Sequence, residues 1–227
     1  MLEQCRIIEK TLEVYKKCNV KSFPIDCIEI IKSLGIPLYK YSELSTPKIS
    51  KCLLVSDDAF TVHGIIFYND NYPHKERQRF SLMHEVGHIV LGHIGECKEF
   101  EEEADIFASH MLAPRIIIHK SKCQNADQIH DKFGLSFAAS NRALISYKKW
   151  FQNICQTTRE PSEIELELEQ IFFPKIKGKK KFKLKRFTRL SFETEKCISF
   201  FDELNQERGN DYMFQRAESQ WLYGNDY

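Results

Sequence analysis

An α+β fold is predicted for this chain, with a small sheet in the first third and helices through most of the rest. Three observations point there. Apolar residues recur at helical spacing over residues 2–17, 25–34, 74–93, 99–112 and 126–150. Short runs of strand-forming residues lie between them at 36–41, 51–56 and 61–69, bounded by turn residues. Hydrophobic residues make up 42% and charged residues 29% of 227 positions, enough for one sizeable core, or for one domain plus an appendage.

Taken in order, residues 2–17 (LEQCRIIEKTLEVYKK) form an amphipathic helix, and Ile25–Leu34 a second, with Pro24 at its start and Gly35 just past its end. Ile36–Tyr41 reads as a short strand, and Pro47 breaks the chain after it. Lys51–Ser56 and Thr61–Asn69 read as strands joined through an Asp-Asp turn, and Asn69-Asp70-Asn71 with Pro73 closes the sheet region. A helix is expected from His74 to about His93, a short loop over 95–99, and a second long helix from about Glu99 to Leu112, stopped near Pro114. Ala126–Phe133, Gly134 and Ser136–Trp150 read as helix, turn, helix, and Glu163–Phe172 as a last helix. Candidate boundaries at 114–123 and 156–162 divide the chain into 1–115, a helix-turn-helix-like segment 116–160, and a charged region 161–227.

Lys+Arg of 33 against Asp+Glu of 32 leaves a net charge of +1, which excludes a uniformly basic nucleic-acid binder. The balance is an average over Glu160–Glu169, with five Glu and no base, and Lys175–Arg189, with nine Lys/Arg and no acid. Phe182 and Phe187 interleave that basic run and could stack on bases, but a solvated or internally paired run is the default. No apolar stretch reaches the roughly 18 residues of a membrane span, and MLEQCRIIEK is charged throughout rather than signal-like. A cytoplasmic protein with no membrane partner is expected. The eight cysteines, at 5, 18, 27, 52, 97, 123, 155 and 197, include no C-x-x-C pair and read as free, mostly buried thiols.

The strongest chemical signal is His84-Glu85-Val86-Gly87-His88. On a helix, positions i and i+4 share a face about one turn apart, so both imidazoles can reach one Zn²⁺. Glu85, one residue on, points beside the ion, where it can take a proton from water that the ion activates and pass it to a leaving amine. The surrounding stretch Phe80–Gly92 is otherwise apolar, and two His and a Glu there are costly unless something satisfies them. Gly87 weakens a helix and makes sense where another element packs close.

A hydrolytic zinc site needs a third protein ligand and an open position. His93 is nearest in sequence. Five residues at about 100° each rotate it well away from the His84/His88 direction, so it reads as a helix-end histidine. The next helix offers Glu101, Glu102, Glu103 and Asp105 beside an apolar stripe of Ala104, Phe107, Ala108, Met111 and Leu112. Glu101 and Asp105 lie along one edge of that stripe, and Ala104 and Ala108 let the two helices approach. Glu101 is therefore the best third ligand, with Asp105 as acceptor for the free ring nitrogen of a ligating histidine. Glu102 and Glu103 read as a solvated acidic first turn.

RQRFSLMHEVGHIVLGH followed by EFEEEADIFASHMLAP resembles the ImmA/IrrE family of zinc-dependent metallopeptidases. The resemblance covers roughly Ile25 to Pro114 well and the rest more loosely. It rests on the histidine helix followed by E-x-x-x-[DN]-x-F-A…L-x-P. Ala113 departs from the Met common there. The resemblance implies a gluzincin-like metallopeptidase domain followed by a mostly helical C-terminal region. By position it makes His84, His88 and Glu101 the metal ligands, Glu85 the general base, and Asp105 the second acidic position. It also implies an intracellular anti-repressor protease whose partner substrate is an XRE-type helix-turn-helix repressor, cleaved to release mobile-element, phage or stress genes. That substrate rests on the family analogy alone.

Other features stay open. The strand 61–69 could hold an extended peptide by main-chain pairing. Tyr68, His63, His110 and Arg115 are all possible donors to a transition-state oxyanion. Ala126–Tyr147 could present Ser140, Asn141 and Arg142 to a DNA groove, although packing or substrate docking is the favoured reading. The rival to an enzyme is thus a non-catalytic, zinc-containing regulator that binds DNA or a repressor through residues 124–189.

Overall fold

A computed structural model describes residues 2–174 apart from 96, 158 and 159. The basic run Lys175–Arg189 and the rest of the charged C-terminal region lie outside the described residues. The chain runs α1 (Leu2–Lys17), α2 (Cys27–Leu34), β1 (Leu38–Lys40), a single 3₁₀ turn (Tyr41–Glu43), α3 (Thr46–Val55), β2 (Ala59–Val62), β3 (Ile65–Tyr68), α4 (Lys75–Leu91) and α5 (Lys98–Leu112), then α6 (Arg115–Lys120), α7 (Ala126–Phe133), α8 (Phe137–Gln156) and α9 (Glu163–Phe172). It is a mixed α+β fold, mostly helical, with a three-stranded sheet.

The helix ends follow the local chemistry. Asp26 caps α2 by accepting from the Ile28 and Glu29 amides, both at 3.0 Å, and Gly35 closes it at φ 78°. Ser136 caps α8, Asn125 caps α7, and Ser162 with Glu165 forms a full capping box at α9. Ala113 ends α5 before Pro114.

The region 46–69 differs from expectation. Lys51–Ser56 is not a strand. Pro47 sits in the first turn of α3, where its missing N–H costs nothing, so it starts a helix rather than breaking the chain. A four-residue apolar run, Cys52–Val55, has no period that separates strand from helix. The Asp-Asp turn links α3 to β2. Thr61–Asn69 is not one strand but spans a hairpin that turns at His63 and Gly64. Both adopt positive φ, 50° and 74°, as a two-residue hairpin loop requires. β3 is central: β1 pairs with it in parallel and β2 antiparallel, so the order is β1-β3-β2.

α4 crosses the sheet against β2 and β3, and α5 packs along α4. The core between them holds Ile66, Tyr68, Leu82, Met83, Val86, Phe107, Met111 and Leu112, and α1 and α2 add Ile7, Tyr15, Ile30 and Ile31. The segment 114–123 carries α6, whose Ile116, Ile117 and Ile118 are all buried in the same core. Arg79 on α4 donates to the carbonyls of Phe133, Gly134 and Ile25, which ties the α7–α8 turn and the start of α2 to the central helix. Six cysteines among the described residues are free thiols, with Cys27, Cys52 and Cys123 buried. No helix among the described residues is long and apolar enough to cross a membrane.

One buried group gives the fold a pH dependence. The His110 imidazole is enclosed between α5 and its neighbours, with no partner for Nε2 among the described residues, and burial, reinforced by the Arg115 charge, pushes its pKa down to about 3. A depressed histidine contributes its full stability above the unfolded value of about 6.5 and loses it as pH falls toward the folded value. At about pH 4.5 that single group is expected to remove roughly 2–3 kcal/mol. His110→Leu should therefore flatten the acid limb of stability, measured by urea unfolding at about pH 7 and about pH 4.5. An equal loss in variant and wild type would refute the assignment.

Candidate metal centre

His84, Glu85 and His88 all lie on α4, in the three turns that end at Gly92. Glu101 and Asp105 lie in the first half of α5. Between the two sets stands the close contact of the helices. A Cβ built on Gly87 would meet Phe107 Cδ1 at 3.1 Å, and Ala104 Cα and O at 3.2 and 3.3 Å. Only glycine at 87 and a small residue at 104 allow this approach, and it brings the Glu101 carboxylate across to the histidines.

Three side chains converge. His84 Nε2 and His88 Nε2 are 3.0 Å apart, Glu101 Oε2 is 3.2 Å from His84 Nε2, and Glu101 Oε1 is 3.4 Å from His88 Nε2. Among the described residues, these three form the cluster of side chains able to hold a metal ion. In a tetrahedral site with bonds of about 2.0–2.1 Å, neighbouring donor atoms are about 3.3 Å apart. The observed separations match that edge length, so the donors fit one small divalent cation with one position left for water or substrate. The histidine side chains are 17% exposed and Glu101 53%, so the cluster is walled by protein on the α4 side and opens to solvent beside Glu101.

The surroundings are polarised. Burial pulls the His84 pKa down, but the Asp105 carboxylate, with Glu85 and Glu101, overrides it and the net shift is upward. His88 is lowered by burial and by the neighbouring His84 charge. Glu85 is buried, and burial raises its pKa, with Thr61 on β2 and His84 acting against the rise. Such a carboxyl is closer to the range in which a proton can be taken and returned than an exposed one is.

The structure brings Asp105 onto the outer nitrogen of His84, with Oδ1 2.8 Å from Nδ1. It departs from expectation at His93 and Glu103. The helix ends before His93, because Gly92 turns left-handed at φ 75°, so rotation along a continued helix no longer applies. His93 swings back instead. Its Nδ1 lies 3.1 Å from His88 Nδ1 and its Nε2 3.0 Å from Glu103 Oε2, with the Phe100 ring stacked 4.4 Å away. Glu103 is accordingly not a solvated first-turn acid. Glu102 is exposed and pairs with Lys98 at 3.6 Å. Sequence reasoning missed His93, Glu103 and Thr61. The signal for the first two was a glycine followed by a histidine at a helix end, opposite an acidic turn.

The four oxyanion candidates also have definite places. His110 is nine residues past Glu101, about half a turn round α5 from the cluster, and its peptide carbonyl accepts from Tyr15 on α1. Arg115 donates Nε to Ser146 Oγ on α8. Tyr68 is buried on the central strand, and His63 sits in the hairpin turn.

Gly87→Ala tests how far the cluster depends on the helix contact. The added methyl should push α5 outward by a few tenths of an ångström against the Ala104 backbone. Overpacking costs about 1–3 kcal/mol, and the helix-propensity gain of about 1 kcal/mol offsets part of it. Divalent-metal affinity, read by competition with a chromophoric chelator, should fall more than thermal stability does. Unchanged affinity would show that the α4–α5 spacing does not set the site.

No curated protein and no solved structure matches this chain. Residues 43–144 match the family model described as the IrrE N-terminal-like domain, Peptidase_M78. The match begins in the 3₁₀ turn and ends inside α8, so it takes in the hairpin, α4 and α5 with the whole cluster, and also α6, α7 and the Arg79-bound turn. It starts later and reaches further than the stretch Ile25–Pro114 that carries the motifs. The nitrogen and carboxylate cluster described above falls inside it, and over residues 43–144 the match supports membership of the ImmA/IrrE family of metallopeptidase-like proteins.

Proposed function

We propose that the chain is a gluzincin-like zinc endopeptidase. The observation that supports it most is the meeting of His84 Nε2, His88 Nε2 and the Glu101 carboxylate at the edge lengths of a tetrahedral site, with the buried Glu85 on the same helix beside it. Two imidazoles and one carboxylate with an open position are the donor set of hydrolytic rather than structural zinc. Lewis acidity is the chemistry Zn²⁺ supplies at such a site, bringing the pKa of water to about 7 and polarising a carbonyl.

The chain's own residues do the rest. His84 and His88 hold the ion through Nε2, and Asp105 orients His84 through Nδ1. Glu85 takes the proton of the attacking water and returns it to the departing amine. Its raised pKa, caused first by burial, suits both halves of that exchange. Thr61 places strand β2 next to Glu85. β2 is an edge strand, so an extended peptide could pair along its outer side and lie past Glu85. That role passes from the expected strand 61–69 to Ala59–Val62, because β3 is flanked on both sides.

The substrate we favour is an XRE-type repressor in the cytoplasm, a choice supported by the family resemblance. The rival, a non-catalytic regulator acting through residues 124–189, would need α8 to present polar groups. Ser140 is fully buried, while Asn141 and Arg142 are exposed. Salt-dependent DNA binding that survives His84→Ala would favour that rival.

Purified protein is expected to hold about one zinc per chain, and His84→Ala to lose it. Glu85→Gln should keep the metal and lose about 10²–10⁴-fold in cleavage of a co-expressed XRE-type repressor from the same genome, measured as the rate of fragment appearance. Wild-type cleavage by Glu85→Gln would overturn the mechanism.

A further inference from the structure

His88 has a support that nothing in the motif announces. We propose that His93 and Glu103 form a two-step positioning relay for His88, which fixes its tautomer and ring orientation for metal binding just as Asp105 does for His84. The inference rests on the zinc reading and extends it to residues outside the motif.

Hydrogen-bond accounting leads there. A carboxylate only accepts, so Glu103 Oε2, 3.0 Å from His93 Nε2, requires the proton on that nitrogen. A neutral His93 then has a lone pair on Nδ1, 3.1 Å from His88 Nδ1, and His88 Nδ1 must be the donor. The remaining nitrogen of His88, Nε2, is thereby left as a lone pair facing Glu101 and His84. That is the form in which an imidazole binds a metal. With His93 neutral, Glu103 as the acceptor thus sets the proton order along the chain His88–His93–Glu103.

The local structure is built to hold this arrangement. Gly92 in the left-handed region ends α4, and the His93 amide donates to the His88 carbonyl at 3.0 Å, which folds the His93 ring back under the helix. The His93 side chain is 4% exposed and Glu103 20%, whereas Ile94, the next residue, is 92% exposed. Phe100 stacks on His93 with the ring planes 9° apart and limits its rotation. An apolar residue would pack on Phe100 as well as an imidazole does. Packing alone therefore does not explain a buried imidazole with both nitrogens engaged, one on a carboxylate and the other on a second histidine that points into the cluster.

The relay makes His93 and Glu103 positioning residues, and it acts on metal affinity before any turnover. The test uses the full chain and Zn²⁺ alone, with affinity read by competition against a chromophoric chelator and stability by urea unfolding of the metal-free proteins. His93→Phe keeps the ring stack and removes both hydrogen bonds. It should weaken zinc binding about 10–100-fold with little change in metal-free stability. Glu103→Gln keeps an acceptor but not the charge and should give a smaller loss. Because the two act in series, the double variant should bind zinc no more weakly than His93→Phe. Glu102→Gln, one residue away and exposed, should match wild type. Wild-type zinc affinity in His93→Phe and Glu103→Gln, with binding abolished by His84→Ala, would overturn the relay and leave the metal site standing. Additive losses in the double variant, or a loss of affinity that only tracks a loss of metal-free stability, would also overturn it. Failure of the wild-type chain to take up zinc beyond the level of His84→Ala would remove the metal reading and the relay together.

Discussion

The cluster depends on how closely α4 and α5 approach. The histidines belong to one helix and the third candidate ligand to the other, so their separation is set by what lies between the axes. Here that is Gly87 against Ala104 and Phe107, with contacts at the limit of what a side chain would tolerate. Glycine in mid-helix costs about 1 kcal/mol in intrinsic stability. The apolar stripe of α5 offsets it, because Ala104, Phe107, Ala108, Met111 and Leu112 are all fully buried against α4 and α1. The geometry of the site is thus held by the hydrophobic core, not by the polar groups that form it.

That division of labour explains the electrostatics. Two histidines and Glu85 stand in a region enclosed on the side of α4 and the sheet, where unpartnered charge is expensive. Acidic groups from α5 supply the compensation: Glu101 toward the inner nitrogens, and Asp105 behind His84. Glu103 stands behind His93. Repulsion among the imidazoles, visible in the lowered His88, is the complement of the same arrangement. A cation between the inner nitrogens would satisfy both lone pairs at once, which is why the donor set is more intelligible as a binding site than as a structural network.

The helices after α5 are attached to the same frame. Arg79, on the helix that carries both histidines, holds the α7–α8 turn and the start of α2 through three carbonyls, and α6 buries three isoleucines in the shared core. The family match extends through this region to residue 144. An adjustment at the α7–α8 turn is therefore mechanically connected to α4, at a point just before the turn that runs from Phe80 to His84.

The sequence by itself pointed to the two helices of the cluster, to five residues on them (His84, Glu85, His88, Glu101 and Asp105), and to close packing at Gly87. These follow from period and spacing, which are local properties: i and i+4 on one helix face, and an apolar stripe flanked by acids on another. It also supplied the α+β class and the glycine that closes α2. It did not determine the region 46–69, where a short apolar run and a proline are compatible with either helix or strand until the sheet chooses its partners. Nor did it reach His93 and Glu103. Helical periodicity stops having meaning once Gly92 turns left-handed, and the direction of the chain beyond that point is decided by what is close in space: His88 on one side, Glu103 and Phe100 on the other. Spacing places residues within an element, and only the packing of one element on another decides which nitrogen meets which carboxylate.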